Sequence, residues 1–148
     1  MGTSGILLLD KPSGVTSALA VRKIGRRLGG LKCGHIGTLD PMATGLLVVL
    51  VGNAVKLVSY YQAGVKRYVG EVTFGAATDT DDAEGELIES CDIPADLGAK
   101  VATALSGFTG TIVQRPPRYS AVKVNGKRLH QRARRGEKVA APEREVTI

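Results

Sequence analysis

Residues 34–45 read Gly34-His35-Ile36-Gly37-Thr38-Leu39-Asp40-Pro41-Met42-Ala43-Thr44-Gly45, the densest run of chemically unusual residues in the chain. Three glycines, a proline, a histidine and a carboxylate stand between two apolar segments. Glycines let a backbone approach a ligand closely, and reactive groups concentrate on loops held by a rigid scaffold. A carboxylate displayed on such a loop can act as a nucleophile. Asp40 can also be a turn or capping aspartate, bonded to its own backbone. The residues alone leave both readings open.

A second group of carboxylates, Asp79, Asp81, Asp82 and Glu84, lies within residues 78–86. Such density invites a calcium-loop reading, which requires a glycine at the sixth loop position and a bidentate glutamate at the last. Glu84 stands at the glycine position and Ser90 at the glutamate position, so the pattern fails. No metal and no cofactor are expected. Cys33 and Cys91 form neither a disulfide framework nor a CxxC pair and read as free thiols without a role.

The elements that must position these groups follow from periodicity. Gly5-Ile6-Leu7-Leu8-Leu9, closed by Asp10-Lys11-Pro12-Ser13-Gly14, has the pattern of a buried strand ending in a turn. Thr16 or Ser17 can cap a following helix, in which Val21, Ile24 and Leu28 recur at helical spacing and Gly29-Gly30 supplies the stop. Arg22, Lys23, Arg26 and Arg27 fall off that stripe, toward solvent or a phosphate backbone. Gly45–Val51 reads as a second strand, after which Asn53 can cap a helix carrying Val55, Leu57, Val58 and Tyr61. Residues 68–74 alternate like a strand with one buried face, and 78–86 form a polar loop. Residues 95–105 suit a helix, 111–113 and 120–124 suit strands, 127–135 suit a short basic helix, and 144–148 look like a strand. Several strands follow one another without the roughly 10–15 helical residues of a parallel crossover. The predicted fold is therefore α+β, a mixed, mainly antiparallel sheet flanked by helices.

At 148 residues the chain suits one compact domain, which at this size buries roughly 70% of its unfolded surface. It is 43% hydrophobic and 23% charged, and no apolar run approaches the roughly 20 residues of a membrane span. Its first ten residues lack the positive charge of a signal peptide, so a cytoplasmic location is expected, with no membrane contact. The net charge of +6 is unevenly spread. Residues 1–114 hold ten Lys/Arg and eleven Asp/Glu, whereas 115–148 hold ten and three, a local +7. Such a block is either a polyanion footprint, since cations on phosphates release condensed counterions, or a solvated basic face.

Five ordered stretches resemble one family. Residues 34–47 resemble the signature G-H-x-G-x-L-D-P-x-A-T-G-x-L of TruB-type tRNA pseudouridine synthases, in which the aspartate is catalytic. Asp10-Lys11-Pro12-Ser13-Gly14-Val15-Thr16-Ser17 resembles the opening K-P-x-G-x-[ST]-S, Lys66-Arg67-Tyr68 the K-x-Y of the active-site tyrosine, and residues 78–85 the T-D-T-x-D-x-x-G. Residues 114–126 with Ala133-Arg134 resemble Q-x-P-P-x-Y-S-A-x-K-x-x-G and the following A-R. His35 and Ala43-Thr44-Gly45 are similar to the stand-alone bacterial enzymes rather than the guide-RNA-dependent relatives. His130 departs from the family's usual tyrosine. The family's later active-site arginine and leucine, and its usual small C-terminal RNA-binding domain, have no counterpart here, so 1–148 is expected to be a catalytic domain incomplete at its C-terminal end.

The resemblance implies isomerisation of uridine 55 in the T-loop of tRNA to pseudouridine, by a monomer needing no protein partner. The N-glycosidic bond must break, the uracil rotate and a carbon link form. Asp40 would attack uracil C6 or ribose C1′, two routes the sequence does not separate. Flipping the target out of its stack costs a few kcal/mol, which stacking on an aromatic side chain offsets. Tyr68 is the candidate platform, its alternative being a core tyrosine. His35 would hold the RNA loop or brace Asp40, and Lys11 would position the loop, meet phosphate, or sit in a solvated turn. Tyr119, Lys123 and Arg128 are further candidates for the RNA groove. Two other classes remain in view: a non-catalytic RNA-binding fragment, and a metal-dependent phosphoesterase using Asp40 with the acidic loop.

Overall fold

A computed structural model describes residues 3–62, 64–116, 122–124, 126–128, 135, 137 and 142–148. The chain divides into two compact units, Met1–Val69 and Gly70–Ile148. Every β-ladder among the described residues is antiparallel, which agrees with the α+β expectation. Among the described residues, no helix is long and apolar enough to cross a membrane.

The first unit is built on a three-stranded sheet in the order β1 (Gly5–Lys11), β3 (Gly45–Val51), β2 (Cys33–His35). Pairing in register Leu7↔Val49, Leu9↔Leu47 and Lys11↔Gly45 puts these residues on one face. Helix α1 (Ser17–Arg27) covers that face, and Ala20, Val21, Leu47 and Val49 form its buried cluster, with Leu7, Leu9, Val15, Ile24, Cys33 and Leu39 packed around it. Each fully buried aliphatic side chain of this kind contributes about 1.5–3 kcal/mol over its exposed state. Thr16 caps α1, its hydroxyl accepting from Leu19 N–H at 3.1 Å, and Gly30 N–H closes the far end on Gly25 C=O at 2.9 Å.

The Asn53-capped helix takes a different form: a 3₁₀ turn, Gly52–Leu57, with Val51 at its N-cap, leads into the short α2 (Val58–Gln62). Asn53 lies inside the 3₁₀ turn, its N–H donating to Ser4 Oγ at 3.0 Å instead of its side chain capping a helix. Val55 and Val58 pack over Gly34, where an added Cβ would come within 3.3 Å of Val55 Cγ1.

In the second unit β4 (Ala76–Thr78) pairs with β5 (Leu87–Ser90), α3 (Leu97–Ser106) follows, and β6 (Thr111–Gln114) pairs with β9 (Arg144–Thr147). The loop over 79–86 is held by its own carboxylates. Asp82 Oδ1 accepts from Thr80 Oγ1 (2.7 Å) and Glu84 N–H (2.9 Å), and Asp79 Oδ1 accepts from Glu86 N–H (2.9 Å). This is turn chemistry: short acidic side chains replace backbone partners.

Two further expectations are corrected. Residues 68–74 form no ladder with any described residue: a period-two pattern makes a strand only where a neighbouring edge supplies its hydrogen bonds. Lys127–Arg128 is a strand, β8, paired with β7 (Lys123–Val124) rather than the start of a basic helix. The sequence between them is Asn125-Gly126, the dipeptide that favours a tight hairpin, and Gly126 sits at φ 78°. The remainder of the expected helix, 129–134, lies outside the described residues, as do Ser120 and Ala121 of the strand expected over 120–124.

Candidate active site

Asp40 stands on the loop 36–44 between β2 and β3. Ile36, Leu39 and Pro41 on that loop are tied to the scaffold. Ser17, only 2% exposed at the start of α1, accepts from Leu39 N–H and donates to Leu39 C=O, both at 2.9 Å. Pro41 C=O accepts twice, from Gly14 N–H at 2.8 Å and from the Lys11 ammonium at 3.2 Å. Asp40 C=O accepts from Ala43 N–H at 3.1 Å, and Ile36 N–H donates to Val48 C=O at 3.2 Å. The loop is thus fixed on both sides of Asp40. The Asp40 side chain itself is exposed and its carboxylate has no hydrogen-bond or ion-pair partner among the described residues.

Lys11 is 0% exposed, and its ammonium donates to Pro12 C=O (3.0 Å), Val15 C=O (2.8 Å) and Pro41 C=O. An ammonium has three donors, and all three are taken. Of the roles weighed for Lys11, positioning the loop matches this geometry; no donor is left over for a phosphate. Gly14, at φ 77°, makes the turn that points its N–H at Pro41, a backbone conformation in which glycine avoids the cost of a Cβ.

His35 ends β2, half-buried, with Nδ1 2.7 Å from Gly37 C=O. A carbonyl only accepts, so Nδ1 carries the hydrogen and, in the neutral ring, Nε2 keeps its lone pair. The bond braces the loop at Gly37 and still leaves one nitrogen for a ligand. Beside the same glycine lies Lys66, whose Cε would be 4.0 Å from a Cβ built there and whose ammonium donates to Gln62 C=O at 2.7 Å. The chain then runs to Tyr68, which is 71% exposed and therefore not a core residue.

The structure thus gathers Lys11, His35 and Asp40 around one loop and brings the segment leading to Tyr68 alongside it. Lys123 and Arg128 belong to the second unit, where their backbones pair in the β7–β8 register. Tyr119 lies outside the described residues, as do Arg118, Arg132, Arg134 and Lys138 of the basic block over 115–148. Within that block Arg115 is 3.3 Å from Glu143 and Arg144 donates twice to Gln114 Oε1, so these two cations have structural partners.

Sequence reasoning missed Ser17 as the tether of Leu39. The signal was the pair Thr16-Ser17: a helix takes one N-cap hydroxyl, which leaves the second free for another bond.

The chain is similar to known proteins. Residues 23–148 match the family model described as TruB family pseudouridylate synthase (N terminal domain). The chain is 48% identical over 149 residues to tRNA pseudouridine synthase B of Leifsonia xyli subsp. xyli, covering 98% of this chain and 49% of that protein. It is 47% identical over 152 residues to the protein of the same name from Corynebacterium diphtheriae, covering 100% and 50%. A solved structure described as a Cbf5-Nop10-Gar1 complex superposes with a TM-score of 0.51 at 30% identity, covering 80% of this chain and 31% of that one. The chain spans about half the length of the curated relatives it matches.

Proposed function

Because the chain belongs to the TruB family of pseudouridylate synthases, whose N-terminal domain it matches, we propose that it forms the Asp40-bearing part of a tRNA pseudouridine synthase acting on uridine 55 of the T-loop. The observation that carries this reading is the loop around Asp40, in which the flanking backbone is fixed by Ser17, Lys11, Gly14 and His35 while the carboxylate is exposed and unpartnered. A nucleophile must meet its target at a set distance and angle, and a tethered loop supplies that without ordering cost at the moment of reaction.

On this reading a uridine is flipped from the T-loop and stacks on Tyr68. A carboxylate oxygen of Asp40 attacks, at uracil C6 or ribose C1′, the N-glycosidic bond breaks, the uracil turns, and its C5 joins ribose C1′ with release of the aspartate, the C5 proton being lost to solvent as N1 takes one up. His35 Nε2 faces the RNA while Nδ1 holds the loop, and Lys11 acts through Pro41 rather than on substrate. Residues 1–148 contribute to the catalytic domain, with Lys123, Arg128 and Tyr119 as further candidates for RNA contact.

Asp40→Asn keeps the size and most of the hydrogen bonding of the side chain while removing its charge. Pseudouridine formation in a T-stem-loop RNA, followed by nucleoside analysis, should fall by several orders of magnitude with RNA affinity little changed. Turnover near the wild-type rate would remove Asp40 from the chemistry.

A further inference from the structure

Dividing the charge along the structural boundary changes its meaning. The unit Met1–Val69 holds nine Lys/Arg and two Asp/Glu, a net +7, whereas Gly70–Ile148 holds eleven and twelve, a net −1. The acidic stretch 70–114, with one Lys against nine Asp/Glu, is what hides this when the chain is cut at residue 114. The positive excess therefore sits on the unit that carries Asp40, and Asp10 and Asp40 are that unit's two acidic residues.

Within this unit, α1 packs Arg22, Lys23, Arg26 and Arg27 into six residues and contains no acid. All four are exposed, opposite the buried Ser17, Ala20, Val21 and Gly25, and none has an ion-pair or side-chain hydrogen-bond partner among the described residues. Arg22 and Arg26, Lys23 and Arg26, and Lys23 and Arg27 stand at the spacings where like charges repel along a helix. The helix dipole favours Arg26 and Arg27 in the last turn, but gives nothing to Arg22 and Lys23. An uncompensated cluster of this kind is relieved by a polyanion. Three of the four are arginines, whose planar fork fits phosphate oxygens in pairs.

Position strengthens the case. α1 begins at Ser17, which is bonded to the residue before Asp40, so the basic face and the carboxylate belong to one rigid piece. At about 1.5 Å per residue, Arg22 to Arg27 lie about 8 to 15 Å along the helix axis from that tie. That is the axial length of roughly two to four stacked nucleotides at 3.4 Å each. The apolar stripe of α1 is spent on the sheet, which leaves it without the face an amphipathic helix inserts into a membrane.

We infer that the outward face of α1, formed by Arg22, Lys23, Arg26 and Arg27, is a phosphate-backbone contact that holds the RNA beside Asp40. This rests on the ligand being RNA, as proposed above. Because phosphate contacts position a ligand without reading bases, the face sets affinity and register rather than sequence choice.

The test is the Arg22→Ala/Lys23→Ala/Arg26→Ala/Arg27→Ala variant of the protein, with Arg22→Gln/Lys23→Gln and Arg26→Gln/Arg27→Gln as milder pairs. Alanine and glutamine are good helix formers, and circular dichroism checks that the fold is kept. Binding of a labelled T-stem-loop RNA is followed from low to moderate salt, alongside pseudouridine formation and binding to anionic phospholipid vesicles. At about 0.7–0.9 slope units per phosphate, losing three contacts should flatten the log-log salt dependence by about two to three units, with each pair giving about half. KM for the RNA should rise at least about tenfold while kcat at saturating RNA is unchanged. An unchanged slope and affinity in all three folded variants overturns the inference, as does a loss confined to vesicle binding. If the wild-type protein binds RNA through α1 but forms no pseudouridine, the inference stands and the functional reading falls. If it forms pseudouridine with an α1-independent slope, the reverse holds.

Discussion

The Asp40 side chain differs from the residues around it in having no bond inside the fold among the described residues. Leu39 and Pro41 are held through their backbones, Lys11 spends a fully buried charge on three carbonyls, and His35 commits one ring nitrogen to Gly37. Burying an ammonium is expensive unless every donor is matched, and the three carbonyl bonds of Lys11 both offset that cost and fix the loop at Pro41. Tyr68 is the complementary case: an aromatic side chain left 71% exposed, two residues beyond the lysine that lies against Gly37. If it is the stacking platform for the flipped base, Tyr68→Phe should keep most RNA affinity, whereas Tyr68→Leu should lose roughly 1–3 kcal/mol. Fluorescence titration of both variants decides the matter, and equal, small effects would deny Tyr68 a stacking role.

At the scale of elements, the Asp40 loop depends on α1 for its position. Ser17→Ala leaves the N–H and C=O of half-buried Leu39 without their partner, which should lower stability by about 1–3 kcal/mol in urea unfolding. It should also lower kcat by roughly tenfold to a hundredfold with KM nearly constant, since misplacement by about an ångström costs up to a hundredfold in rate. A loss of stability with kcat intact below the melting transition would make the tie merely architectural. The elements that carry this arrangement were legible where periodicity and punctuation agree. β1, α1 and β3 follow from Gly5–Leu9, from the Val21, Ile24, Leu28 spacing with its Gly29-Gly30 stop, and from the aliphatic run Gly45–Val51. β2 was not legible, because three residues at a sheet edge are too few to show a period. The β4–β5 pairing leaves little sequence signal because its strands are short and, apart from Thr78, exposed. The dipeptide Asn125-Gly126 is a turn signal between β7 and β8, and it says more about the backbone there than the charge of the residues after it. At the site, residue types pointed to Asp40, His35 and Lys11, but which atoms hold the loop is a matter of three-dimensional pairing. The Ser17–Leu39 bonds join positions 22 residues apart and leave no periodic trace.

For the whole molecule, charge and architecture tell the same story. The seven excess positive charges lie on the unit with the tethered carboxylate, while the second unit, acidic through 70–114 and basic after it, is nearly neutral. A polyanion drawn to the first unit arrives where Asp40 is displayed. The acidic loop of the second unit turns the carboxylates of Asp79 and Asp82 onto its own turn, on the Thr80 hydroxyl and the Glu84 and Glu86 N–H groups. The most direct measurement is therefore incubation of the wild-type protein with a T-stem-loop RNA, with and without a chelator, followed by nucleoside analysis. Formation of pseudouridine at the target uridine, at equal rates in both samples, is the result expected of carboxylate chemistry. RNA binding without any pseudouridine, or chelator-sensitive cleavage of the strand, would contradict it.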